Sequence, residues 1–218
     1  MEDYMFSIRY EFDSGLGPME GSRYIREFKV GVYADNYEKP EKLIGKAAFK
    51  VVYIDEALDT GYSLYEIFDT YEYTFRHGQD FFDFETGQIK EDIQKYYHYD
   101  IMPGNICLLE RIEILPEFRG QKLAAKVTKD IIFHFRSGCS LFIIQAYPLQ
   151  FEAGSNDKND WRYQQELDRF PSNENEAFKQ LINYYKSFGF EQIKGYNELL
   201  FYNPALRNKK MEAINLEE

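Results

Sequence analysis

Residues 105–151 read NICLLERIEILPEFRGQKLAAKVTKDIIFHFRSGCSLFIIQAYPLQF, and no other stretch restricts the fold as much. Positions 106–115 are rich in Ile and Leu, interrupted by Glu110, Arg111 and Glu113, which suits a strand covered on both faces. Pro116 lacks the N–H that a ladder needs and ends it. Leu123, Val127, Ile131 and Phe135 then recur at every fourth position, with Ala124, Thr128 and Ile132 in the neighbouring row. That is one apolar stripe at helical period. Ser137-Gly138 punctuates the chain, and 141–146 is a second apolar strand. Strand, helix and strand joined by short links make a βαβ unit, hence two parallel strands. The first link, Pro116-Glu117-Phe118-Arg119-Gly120-Gln121-Lys122, opens the helix. A helix N-terminus carries unpaired N–H groups and a positive partial charge, so this turn suits an anionic cofactor.

The flanks are consistent with a sheet built around that unit. Residues 5–12 have strand composition, and Ser14-Gly15-Leu16-Gly17-Pro18 breaks the chain after them. Residues 26–34 alternate, with Phe28, Val30, Val32 and Ala34 on one face. A turn over 35–40 leads to another strand over 42–54, in which Gly45 is the place for a bulge, so the two form an antiparallel hairpin. Residues 56–100 are dense in Tyr, Phe and acids and read as helices over 64–77 and 89–97. The polar insert over 150–173 reads as a loop that Trp161 and Tyr163 dock. Ala177, Leu181, Ile182, Tyr185 and Phe188 stripe a helix over 174–188, with Asn173 and Glu176 as its cap and Gly189 as its stop. A last strand covers 199–202, and the charged residues beyond Pro204 read as a loosely held tail. The expectation is a single α/β (α+β) domain over 1–204, with a mixed, mostly antiparallel twisted sheet flanked by helices and a C-terminal tail over 205–218.

The residues at the first link resemble the acetyl-CoA-binding core of the GNAT superfamily of acyl-CoA-dependent N-acyltransferases. That family carries Arg/Gln-x-x-Gly-x-Gly/Ala here, after a strand ending in Pro. In this chain the six residues are Arg119, Gly120, Gln121, Lys122, Leu123 and Ala124, with Lys122 where the family has its middle glycine. Downstream, Tyr185-Lys186-Ser187-Phe188-Gly189-Phe190 is similar to the family's late helix, which ends in Tyr-x-x-x-Gly-Phe. Together the two matches cover roughly the C-terminal half. The resemblance implies a central parallel strand pair that splays to admit the cofactor. It implies that backbone N–H groups of Ile112, Glu113, Ile114 and Leu115 hold the pantetheine arm and polarise the thioester. The amides of Arg119 to Ala124 would take the diphosphate. It implies that both inserts lie on the acceptor side. Where many relatives place an Asn contacting the cofactor, seven residues before the tyrosine, this chain has Phe178, and the nearby Asn175 is out of register.

Forming an amide from a thioester requires a neutral amine, and a lysine-like amine has a pKa of about 10.4, so a base must take its proton. Glu110, six residues before Pro116, stands where many relatives place a strand carboxylate, and strand alternation sets it with Ile112 and Ile114. It reads equally well as an ordinary strand acid paired with a nearby Lys or Arg; Glu113 is the second choice. Tyr185 matches the family tyrosine that protonates the departing coenzyme thiolate, although it also lies on the helix's apolar stripe among 19 tyrosines. Tyr184 lies about 100° around the helix and is not expected to share its role. Lys122 either adds a charge–phosphate contact or crowds the phosphates with its Cβ.

Composition narrows the partners. The chain has 218 residues, 44% hydrophobic and 18% aromatic, enough to bury a substantial core. With Lys plus Arg at 26 and Asp plus Glu at 37, the net charge is −11. That sign disfavours nucleic acid and anionic membranes and favours a cationic acceptor, such as a polyamine, an aminoglycoside or a lysine-bearing polypeptide, unless the acidity serves only solubility. No apolar run is long enough to span a bilayer, and Met1-Glu2-Asp3-Tyr4 lacks the pattern of a signal peptide. Cys107 and Cys139 read as buried free thiols, which points to the cytoplasm. His77, His98 and His134 have no metal-ligand spacing with either cysteine, so no metal is expected. The expectation is therefore acetyl transfer from acetyl-CoA to a small-molecule or polypeptide primary amine by direct attack. The rivals are a silent acyl-CoA sensor and an interaction protein on the same scaffold.

Overall fold

The computed structural model describes residues 4–14, 21–36, 39–101, 104–152, 154 and 157–216. The expected breaker at Gly15–Pro18, the start Met1-Glu2-Asp3, the turn residues Tyr37 and Glu38, and Ser155 and Asn156 of the insert lie outside the described residues.

The strands run β1 (Met5–Glu11), β2 (Ile25–Asn36) and β3 (Lys39–Val52). Four short helices follow, α1 (Ile54–Asp59), α2 (Leu64–Phe68), α3 (Glu72–Phe81) and α4 (Glu91–Tyr96), with a two-residue pair, β4 (Phe82–Asp83) and β5 (Gln88–Ile89), before the last. The core unit is β6 (Asn105–Ile114), α5 (Leu123–Phe135) and β7 (Cys139–Gln145). The chain ends through α6 (Trp161–Gln164), α7 (Glu174–Ser187), β8 (Leu199–Tyr202) and α8 (Lys209–Glu212). One sheet has the order β1-β2-β3-β6-β7-β8. Its neighbours are antiparallel except β6 and β7, which are parallel because the α5 crossover returns the chain to the same end. The fold is a mixed α/β architecture with a mostly antiparallel six-stranded sheet flanked by helices.

Both faces of the central strands are covered. On one, Leu123, Val127 and Ile131 of α5 pack with Phe28, Phe49, Leu109, Tyr185 and Phe188. Burying each of those aliphatic side chains contributes about 1.5–3 kcal/mol, which is why the four-residue period survives as a helix. On the other, Ile106, Leu108, Leu141 and Ile143 meet Ile67, Phe68, Phe81 and Ile93 of the short helices. This second layer is what made 56–100 hard to read: the expected helix over 64–77 is broken in two, because Ser63 starts α2 with a capping box and the chain leaves the helix before α3 begins at Glu72. Helix α1 and the β4–β5 pair had no periodic signal at all.

The tail requires a correction. Beyond Pro204 the chain is not loosely held: Met211 and Ile214 are buried in the α5 core, and Lys129 donates to the Ile214 carbonyl at 2.5 Å. Asn208 caps α8 by accepting from the Met211 N–H at 3.1 Å and donates to the Gly189 carbonyl at 2.8 Å. The charged residues hid two apolar anchors spaced to fall on one side of a single turn.

Bulges are placed where strands change partners. In β3, Val32 faces Gly45 while Tyr33 faces Leu43, so Ile44 is the extra residue, beside the glycine the sequence marked. A Cβ on Gly45 would sit 2.9 Å from the Glu113 carbonyl oxygen and 2.6 Å from Ile114 Cδ1, so the close approach of β6 demands glycine there. In β6, Ala48 faces Arg111 while Phe49 faces Leu109, which leaves Glu110 unopposed.

Candidate active site

The parallel ladder between β6 and β7 ends at Leu109–Ile144. β6 continues to Ile114 on its β3 side, whereas β7 turns to pair with β8 up to Gln145. Five residues of β6, Glu110 to Ile114, therefore have no β7 neighbour. A cleft of about 440 Å³ opens along them, runs to Gly120, Lys122 and Ala124, and is also lined by Tyr185.

The turn at its far end is built by two left-handed residues, Gly120 at φ +82° and Lys122 at φ +59°. Lys122 is the N-cap of α5 and contributes no side-chain cap, and the first turn holds no acidic residue. The N–H groups of Leu123 and Ala124 thus lack the carboxylate or hydroxyl that usually satisfies a helix start. The positive φ explains why the resemblance expects glycine where Lys122 stands: the backbone shape is kept and the glycine is not. Arg119 is spent on structure. Its Nε donates to the Ile114 carbonyl at 2.9 Å, its Nη2 to the Gln165 carbonyl at 2.6 Å, and its guanidinium lies 4.8 Å from the centre of the Phe170 ring. Burial in this setting lowers its pKa.

The bulge alters the expected position of Glu110. Simple alternation set it on one face with Ile112 and Ile114, but those two pack on the α5 side while Glu110 reaches Lys50, which lies over Tyr71 and Tyr73 of the opposite layer. The unopposed residue inverts the pleat from there onward. Glu110 borders the cleft, and its Oε1 is ion-paired with Lys50, whose side chain is 7% exposed and also 3.7 Å from Glu27. Of the two readings of this carboxylate, the paired strand acid is the one whose partner is visible. Its Oε2 has no partner among the described residues. Glu113 is buried as a strut: Trp161 Nε1 donates to it at 2.8 Å and Arg111 lies 3.5 Å away. Both of its oxygens are occupied, so it is poorly placed to take a proton.

Tyr185 is 6% exposed and rests against Tyr184, Phe188 and Phe190, and its hydroxyl has no hydrogen-bond partner among the described residues. Burial raises its pKa, so the phenol stays protonated. Tyr184, set aside on the helical angle, also borders the cleft. Phe178 does not; it meets the edge of Tyr147 at 6.2 Å. Gln121 and Leu115, expected to offer backbone groups, do not border the cleft, whereas Ile112, Glu113, Ile114, Arg119, Gly120, Lys122, Leu123 and Ala124 do.

The structure adds residues that pattern alone missed. His77 shares a hydrogen bond with Gln145 at 3.2 Å, and Gln145 donates to Glu198 at 3.0 Å, at the point where β7 leaves β6. Tyr73, its pKa raised by burial and then by Glu110, packs on His77 at 4.8 Å. Lys50 had a local signal that was not used, a cation set between Phe49 and Val51. No residue of 56–100 borders the cleft, so that insert stands behind the site, through Tyr73 and His77, and does not line it. The insert over 150–173 forms a wall of the cleft and is tied to β6 through Arg111 with Glu152, and Trp161 with Glu113.

No protein-family model matches the chain, and no curated protein does. Among solved structures it is similar to the crystal structure of a KacTA-DNA complex, at a TM-score of 0.38 and 11% identity over 84% of this chain and 69% of that one.

Proposed function

We propose that this protein is an acyl-CoA-dependent N-acyltransferase of GNAT type, moving an acetyl group from acetyl-CoA to a primary amine by direct attack. The observation that carries the reading is the unpaired run Glu110–Ile114 facing a cleft that leads to the capless N-terminus of α5. An extended, amide-bearing pantetheine arm can complete such an edge as an extra strand would. The α5 terminus, with no acid in its first turn, suits the diphosphate.

In this reading the β6 backbone orients the thioester and offers N–H groups to the developing oxyanion. Glu110, which borders the cleft and keeps Oε2 without a partner among the described residues, accepts the amine's proton directly or through one water. Tyr185 donates a hydrogen bond to the departing sulfur. A phenol's pKa already exceeds a thiol's and burial widens the gap, so Tyr185 steadies the thiolate more readily than it surrenders its proton. Cys107 and Cys139 are both buried and free, which fits cytoplasmic residence and a route without a cysteine nucleophile. No helix of the described residues is long and apolar enough to cross a membrane. The charge of −11 favours a cationic acceptor.

A second reading, a coenzyme-binding module without turnover, draws on the Glu110–Lys50 ion pair, which occupies one oxygen of the proposed base. Calorimetry with acetyl-CoA, followed by an amine-panel screen for released thiol, separates the two. We expect binding and amine-dependent thiol release. Binding without release from any amine favours the silent module, and no binding at all overturns both. Gly120→Glu is expected to abolish coenzyme binding in a protein that stays folded; unchanged affinity would remove the turn from the site.

A further inference from the structure

Gln165 is 1% exposed and borders the cleft, yet its Nε2 has no hydrogen-bond partner among the described residues. Its other end is fixed: Arg119 Nη2 donates to the Gln165 carbonyl at 2.6 Å and lies 3.3 Å from Oε1. A guanidinium only donates, so the amide oxygen must face it and the NH₂ must face away. A buried amide N–H left without an acceptor is costly, so a fold that keeps one beside a cleft leaves a donor for whatever fills that cleft. The neighbouring atoms locate it. Arg119 also binds the Ile114 carbonyl, at the end of the unpaired β6 run, and opens the turn to α5. Gln165 therefore stands at the junction between the strand edge and the helix terminus.

We propose that Gln165 is a coenzyme-binding residue, contributed by the 150–173 insert, whose Nε2 donates to an oxygen of the bound coenzyme where the pantetheine arm meets the diphosphate. This rests on the reading of the cleft as an acyl-CoA site and adds to it a ligand from outside the βαβ unit. The insert is then a wall of the cofactor slot, and Arg119 is the bolt that holds it: one guanidinium joins Ile114, Gln165 and the Phe170 ring. The backbone at Glu166, at φ +46°, turns the chain immediately after Gln165 and keeps the amide in place.

Two variants separate a binding role from a structural one. Gln165→Glu keeps an acceptor for Arg119 and gives it a charge, so the anchorage is retained or strengthened, but the donor is replaced by an anion. Gln165→Met keeps the length and loses both ends. Calorimetry with coenzyme A, and separately with ADP, is read beside thermal melting. Gln165→Glu is expected to melt no lower than the parent while losing tenfold or more in coenzyme affinity, and Gln165→Met to lose affinity as well. An equal loss toward ADP assigns the donor to the diphosphate; a loss confined to coenzyme A assigns it to the pantetheine arm. If the parent binds coenzyme A and Gln165→Glu binds it equally well, the inference fails and the acyl-CoA reading stands. If the parent does not bind, both fail.

Discussion

Lys50 carries the sharpest consequence at the scale of single residues. An ammonium with 7% of its side chain exposed, held by Glu110 and 3.7 Å from Glu27, is stable only while a carboxylate faces it. Glu110→Ala leaves it only the more distant, exposed Glu27 and is therefore expected to cost about 2 kcal/mol in urea denaturation, and a loss of activity in that variant would report unfolding as much as chemistry. Glu110→Gln paired with Lys50→Met removes both charges and should recover most of that stability; a double variant as unstable as Glu110→Ala would show that the pair is not the source of the cost. Lys122 gives the opposite sign. A side chain at φ +59° carries strain of about 1 kcal/mol, so Lys122→Gly is expected to leave stability unchanged or raise it slightly, after the entropy that glycine adds to the unfolded chain. A clear drop in the urea midpoint would mean that the lysine side chain stabilises the turn by contacts of its own.

Elements differ in how openly the chain declares them. Helix α5 follows from a period of four, strands β6 and β8 from apolar runs that burial on both faces enforces, and the Asn173 cap of α7 is formed, with Glu176 N–H donating at 3.0 Å. The site was half legible for the same reason. The turn and Tyr185 have fixed spacings, whereas the insertion that turns Glu110 toward Lys50 is a pairing event between β3 and β6, and pairing across 60 residues leaves no local mark. Gln165 was silent too, since a lone amide in a polar insert looks like any other. The segment after Pro204 was misjudged because its charged residues outnumber its two anchors, Met211 and Ile214. Removing residues after Pro204 is accordingly expected to lower the melting temperature by many degrees, since it strips Met211 and Ile214 from the core and leaves Lys129 without its carbonyl acceptors. A truncated chain that melts like the parent would refute the packing of that helix.

Across the molecule, buried acids of high pKa set the response to alkali. Burial pushes the Cys139 thiol up to about 12, raises that of Cys107 well above its ordinary value, and raises the phenols of Tyr10, Tyr97 and Tyr185. The unfolded chain releases thiol protons from about pH 9 and phenol protons from about pH 10, while the folded chain keeps them. The folded state then binds more protons, so its stability is complete below pH 9 and falls as pH rises toward 12 and beyond. Melting temperatures recorded from pH 7 to 11 are expected to be level and then to fall steeply; a flat profile to pH 11 would show that these groups titrate freely. The interrupted ladder between β6 and β7 has a wider meaning for the whole architecture. A sheet margin normally lies at the periphery, where a stray polypeptide can zip onto it and seed aggregates. Here an extra margin lies within the sheet, half-buried, with Gln145 of β7 on one flank and Leu149, Gln150, Gln165, Leu167, Phe170 and Pro171 on another, so a guest that uses it must lie along β6.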